Sequence, residues 1–131
     1  MTTRQAACSC GKVQVTTNGE PFRISMCHCL DCQRRTGSVF GAQAWFSNDH
    51  VSIQGPTARF LRKADSGNEI TYHFCSSCGA TVYYRPHTRL DTTAIPIGAF
   101  ADPSFPPPRV SVYEARQHPW VATPDDVEHL D

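Results

Sequence analysis

The segment Cys27-His28-Cys29-Leu30-Asp31-Cys32 places three thiols within six residues. Three sulfurs are one too many for a disulfide and one too few for a closed structural zinc site, which takes four ligands. Three protein ligands with one open position is the arrangement of a catalytic zinc. Such a position accepts water or the thiolate of a substrate, and a soft sulfur suits an ion already held by sulfur. Two other chemistries can use the same residues. Two thiols can oxidise while the third attacks, which makes a redox centre. Alternatively His28 closes the site as a fourth ligand, under strain because it adjoins two ligands in sequence.

The chain has seven cysteines, an odd number that disulfides cannot exhaust. The other four fall in two pairs, Cys8-Ser9-Cys10-Gly11 and Cys75-Ser76-Ser77-Cys78-Gly79. The second is a C-x-x-C-G knuckle: two thiolates bind one ion, and the glycine lets the backbone turn so that its amides face sulfur. A knuckle supplies two ligands, and Cys8 with Cys10 are the natural source of the other two. Cys8, Cys10, Cys75 and Cys78 then make a closed tetrahedral site that ties the N-terminal strand to the middle of the chain. In a small β protein that crosslink contributes a large share of the folding free energy. Four sulfurs to close one site leave Cys27, Cys29 and Cys32 for an open one. His73, two residues before the knuckle, reads as a strand histidine rather than a ligand.

The elements that must position these groups read mostly as β. Lys12 to Thr16 alternates apolar and polar, and Asn18-Gly19 turns the chain before Pro21. Phe22 to Met26 is a short strand leading into the triplet. Val39 to Phe46, Val51 to Ile53, Ala58 to Arg62, Glu69 to Phe74, Thr81 to Tyr84 and Thr93 to Ile97 complete the expected strands. Leu30 to Thr36 can form one or two helical turns stopped by Gly37. Pro103 to Pro108 reads as an ordered loop or a polyproline stretch. The tail from Pro124 to Leu130, with Thr123 as a cap and acids in its first turn, predicts a short helix or a frayed end.

The 131 residues suffice for one domain, 1–131, with its core over about 4–120 and a short C-terminal tail. Twelve basic residues balance twelve acidic ones, which argues against a nucleic-acid partner. There is no long apolar run for a membrane helix and no apolar signal region near the start, so a membrane role is not expected. Clustered thiols without an export signal predict a reducing, cytoplasmic location, where they are more often metal ligands than bridges.

Three pieces together resemble a known family: CSCG at 8–11, CHCLDCQRRTGSVFG at 27–41, and FCSSCG at 74–79. The later IPIGAFADP and Pro119-Trp120 fit the same pattern, which covers roughly residues 4 to 120. It is that of the glutathione-dependent formaldehyde-activating enzymes, a family that includes centromere-protein-V-like proteins. The resemblance implies a mainly β, single-domain β-tent fold with two zinc ions. It assigns a structural zinc to Cys8, Cys10, Cys75 and Cys78, and a catalytic zinc to Cys27, Cys29 and Cys32. It also implies condensation of formaldehyde with glutathione to S-hydroxymethylglutathione, or the reverse carbon–sulfur lyase reaction.

Three thiolates on a dipositive ion leave a negative site. Arg34 and Arg35, just after the triplet, either offset that charge and hold the carboxylates of a thiol substrate such as glutathione or are solvated residues of the helix face. Thr36, Ser38 and Gln43 are further hydrogen-bonding candidates. Two rival readings use the same sulfurs: a non-catalytic zinc module that binds another protein, and a thiol redox protein.

Overall fold

The computed structural model describes residues 2–64 and 66–130. In chain order it has β1 (Thr3–Ala7), β2 (Gln14–Asn18), β3 (Arg23–Cys27), the helix α1 (Leu30–Thr36), β4 (Gly41–Ser47), β5 (Val51–Gln54) and β6 (Ala58–Lys63). There follow β7 (Glu69–Phe74), β8 (Thr81–Pro86), β9 (Thr92–Pro96), β10 (Val110–Val112) and β11 (Glu128–Leu130). The protein is mainly β, as its alternating pattern predicts. Two sheets form. The smaller, in order β1-β2-β5, is antiparallel. The larger runs β11-β10-β3-β4-β9-β8-β7-β6 and is antiparallel except at one end, where β10 lies parallel to both β3 and β11.

The main core lies between the sheets. Ala6, Val13 and Val15 from the small sheet and its approach meet Ile24, Ala44, Phe46, Val82 and Ile95 of the large one. Burying each of the valine, isoleucine and phenylalanine side chains among them contributes roughly 1.5–3 kcal/mol. β4 is covered on both faces, which explains its near-continuous apolar sequence. Ala44 and Phe46 enter the core, while Trp45 packs against Tyr72, Tyr84 and Ala94 on the opposite face. That second face becomes the floor of the candidate site.

One glycine is fixed by a close approach. Gly55, at the turn between β5 and β6, has φ +98°, and a Cβ there would lie 2.1 Å from the carbonyl oxygen of Lys12. The chain must cross between sheets at this point, and no L side chain fits the crossing. Gly55→Ala is therefore expected to cost more than about 2 kcal/mol. Denaturant midpoints check this, and an unchanged midpoint would contradict the packing of this turn on Lys12.

The structure differs from the sequence reading at the tail. Instead of a helix or a frayed end over 124–130, Glu128–Leu130 forms β11, in register with Val110–Val112. The reason is local: Asp126 takes φ +63°, which breaks any helix, Val127 is buried, and the Glu128 N–H donates to the Arg109 carbonyl at 2.9 Å. β1 and β10 were not expected as strands. The proline-rich segment is a loop pinned by Phe105, which is buried and stacks on Phe100 with ring centroids 4.7 Å apart.

Candidate metal centres

The two cysteine pairs meet although 65 residues separate them. The sulfurs of Cys8, Cys10, Cys75 and Cys78 all lie within 4.8 Å of one another. Cys8 and Cys10 are 3.7 Å apart, and Cys10 and Cys75 are 3.6 Å apart. A zinc–sulfur bond of about 2.3 Å implies tetrahedron edges of about 3.8 Å, so the set fits one such ion. Each pair sits in a tight turn that closes on itself. The Cys8 N–H donates to the Val13 carbonyl and the Cys75 N–H to the Ala80 carbonyl, both at 3.0 Å. The glycines behind each pair, Gly11 and Gly79, take φ near +80°, a conformation that favours glycine. Backbone amides face sulfur as the knuckle predicts: Val13 N–H to Cys8 at 3.3 Å and Ser77 N–H to Cys75 at 3.4 Å. Cys8 and Cys75 are buried, whereas Cys10 and Cys78 are exposed.

The second cluster is Cys27, Cys29 and Cys32, whose sulfurs also converge within 4.8 Å. Cys27 ends β3, Cys29 caps α1, and Cys32 lies in its first turn. The Cys29 sulfur accepts the Cys32 N–H at 3.3 Å, and Gly37 closes the helix in the left-handed conformation at φ +71°. The helix therefore spans the residues expected of it. Hydrogen bonds from Cys27 and Cys32 hold Cys29 well below the usual thiol range, and the bond to Cys29 pushes Cys27 far above it. Three sulfurs this close repel one another once they lose their protons. A divalent cation would offset that repulsion, and the all-sulfur donor set suits zinc.

His28 does not join the triplet. Alternation along the chain turns it to the opposite side, where it is fully buried with Nε2 2.9 Å from Ser111 Oγ. His73 is likewise a strand residue: it contacts Thr57 Oγ1 through Nδ1 at 3.0 Å and stacks on Tyr83 at 4.3 Å.

The triplet opens into a cavity of about 380 Å³. Antiparallel pairing of β3 with β4 sets Ser25 opposite Gln43 and Cys27 opposite Gly41, so Ser25, Cys27 and Gln43 share one face. Gln43 Nε2 and Trp45 Nε1 both donate to Ser25 Oγ, at 2.6 and 3.0 Å. Tyr72 and Tyr84 form the far wall. An adjoining groove of about 400 Å³ shares Asp31, Arg62 and Tyr72 with the cavity and adds Arg34 and Arg35. Arg34 is exposed. The Arg35 guanidinium lies 5.2 Å from the ring centroids of both Tyr72 and Tyr84, with its buried Nε unbonded. A larger groove, about 680 Å³, runs past Cys8 and Cys78. Apart from Arg35 its lining is cysteine, small apolar and hydroxyl residues, so the cavity at the triplet carries more chemistry.

Thr36 uses its hydroxyl on the Cys32 carbonyl at 2.8 Å, and the Ser38 N–H donates to Thr36 Oγ1 at 3.0 Å. Neither lines the triplet's cavity, whereas Gln43 does. The sequence reading overlooked Arg62, Tyr72 and Tyr84. They arrive from strands β6 to β8, and no motif links them to the triplet.

A comparison with protein families matches residues 3–116 to the family described as glutathione-dependent formaldehyde-activating enzyme. No curated protein matches the chain. Among solved structures, the chain is similar to a crystal structure of a Rhodobacter sphaeroides protein. The two are 17% identical, the match covers 79% of this chain and 91% of that one, and the TM-score is 0.57. At that identity the likeness concerns the fold. The family match spans most of the 131 residues and includes all seven cysteines. The chain belongs to the glutathione-dependent formaldehyde-activating enzyme family.

Proposed function

We propose that the protein is a zinc-dependent enzyme of carbon–sulfur lyase type. Its substrate is a thiol adduct such as S-hydroxymethylglutathione, made from or released to glutathione and formaldehyde. The observation that carries this reading is the set of three converging sulfurs at a ligand-sized cavity, with no fourth protein donor among the described residues. Cys27, Cys29 and Cys32 would hold the catalytic zinc, and Cys8, Cys10, Cys75 and Cys78 a structural one. Bound by three thiolates, zinc supplies an open position at which a substrate thiol loses its proton.

The chain's own residues bind and orient. Arg34 and Arg35 line the adjoining groove, where they would hold a thiol's carboxylates. The rings of Trp45, Tyr72 and Tyr84 wall the cavity and limit water beside the sulfurs. All seven thiols are free, and they serve as ligands only while reduced, so the reading places the protein in a reducing compartment, the cytoplasm.

The test is metal analysis followed by titration with glutathione and an assay of adduct formation with formaldehyde. Two zincs per chain are expected. A chelator should remove about one equivalent quickly, from the three-sulfur site, and the second slowly. Two ions that leave together would contradict two distinct sites. Two inert ions with no response to glutathione would favour a protein-binding module. One zinc with a disulfide inside the triplet in a reduced preparation would favour redox chemistry.

A further inference from the structure

We propose that Arg62 anchors the anionic end of the substrate at the cavity of Cys27, Cys29 and Cys32, and so sets the preference for charged thiols. The inference rests on the thiol-binding reading of that cavity. Arg62 comes from β6, the edge strand of the large sheet, and reaches across to α1. Its side chain is held by two residues, Asp31 and Tyr72. One Nη1 pairs with the Asp31 carboxylate, Nε donates to the Tyr72 hydroxyl at 3.2 Å, and the guanidinium carbon lies 5.6 Å from the Tyr72 ring centroid. The side chain retains 17% exposure. A guanidinium has five N–H donors in a fixed fork, and these contacts use two. The rest, including both on Nη2, have no partner among the described residues.

The surrounding charge points the same way. The chain as a whole is neutral, with 12 basic and 12 acidic residues. Yet the triplet's cavity is lined by Arg23, Arg62 and Arg116, and the adjoining groove adds Arg34 and Arg35. Against these five, Asp31 is the one carboxylate lining either space among the described residues, and Arg62 already holds it. Of the five, Arg62 alone lines both spaces. A pre-oriented fork with free donors costs little further ordering to bind a carboxylate. The plain alternative is a tether that ties the edge strand to the helix and binds nothing.

The experiment uses zinc-loaded protein and two thiols of equal length, 3-mercaptopropionate and 3-mercaptopropan-1-ol, with affinities measured by calorimetry. Wild type should favour the carboxylate by on the order of tenfold, since charge-assisted bonds exceed neutral ones. Arg62→Met should abolish the preference while leaving the alcohol's affinity and the zinc content unchanged. Arg62→Lys, which keeps charge but not the fork, should restore part of it. Asp31→Asn breaks the tether and keeps the arginine, so the preference should survive. Four outcomes overturn the proposal. Two are a preference that persists undiminished in Arg62→Met and an equal weakening of both thiols there. The other two are an Asp31→Asn protein that reproduces Arg62→Met and a wild type with no preference. All four leave the thiol-binding reading standing. If neither thiol binds wild type, that reading fails and takes the role of Arg62 with it.

Discussion

Replacing Cys78 by serine is expected to unfold the protein or lower its stability by at least about 4 kcal/mol, because structural zinc binding free energy is folding free energy. Cys78 is well suited to this test because it is exposed. Loss of a buried sulfur would remove packing as well as a ligand, whereas an exposed cysteine contributes little packing. Polar substitutions on the surface are usually within about 0.5 kcal/mol, so a large effect here has to come from the lost ligand. The site joins two turns that are 65 residues apart, Cys10 to Cys75. Without it, both turns lose the ion that compensates their crowded sulfurs. Circular dichroism, thermal melting and zinc content are the measurements. A well-folded Cys78→Ser protein with a normal melting temperature would sink the four-cysteine assignment.

Cys29→Ser should behave in the opposite way, with the fold kept and the chemistry lost. Cys29 is the cap of α1, where its sulfur accepts the Cys32 N–H. Serine is a favoured residue at that position, so the helix start survives the change. Its hydroxyl is a much poorer zinc ligand than a thiolate. Metal content should fall from two ions per chain towards one, with the melting temperature little changed. Substitutions one step removed from a metal ligand already cost about 10–100-fold in affinity or activity, so loss of a ligand should cost adduct formation at least about 100-fold. Unchanged turnover in Cys29→Ser would end the catalytic role of the triplet.

The cysteine clusters were legible in the sequence because cysteines are scarce and their spacing is local. Each pair or triplet closes within a single turn, and only the pairing of Cys8 and Cys10 with Cys75 and Cys78 needed an argument from ligand number. The helix was legible for the same reason, since Gly37 supplies the left-handed stop. Arg62 was not. Its partner Asp31 is 31 residues away, and the two meet only once β6, β7 and β8 have paired across the face that carries Tyr72 and Tyr84. Arg34 and Arg35 stood out by adjacency, yet neither lines the triplet's own cavity. The tail misled because three-residue strands carry no periodicity, whereas acids after a threonine imitate a helix start. β10 was missed on the same ground.

The placement of β10 also bears on how the chain assembles while it is being made. β3 can pair with β4 once both have left the ribosome, but its other edge must wait for Val110–Val112. His28 waits as well, since its hydroxyl partner Ser111 lies 83 residues further along. Until β10 is made, the strand that ends in Cys27 would therefore present a bare edge beside three thiols. Such an edge invites pairing with other chains. Early capture of an ion by the triplet would anchor that strand to α1 before β10 arrives. Metal supply would then govern the yield of folded protein as well as its activity.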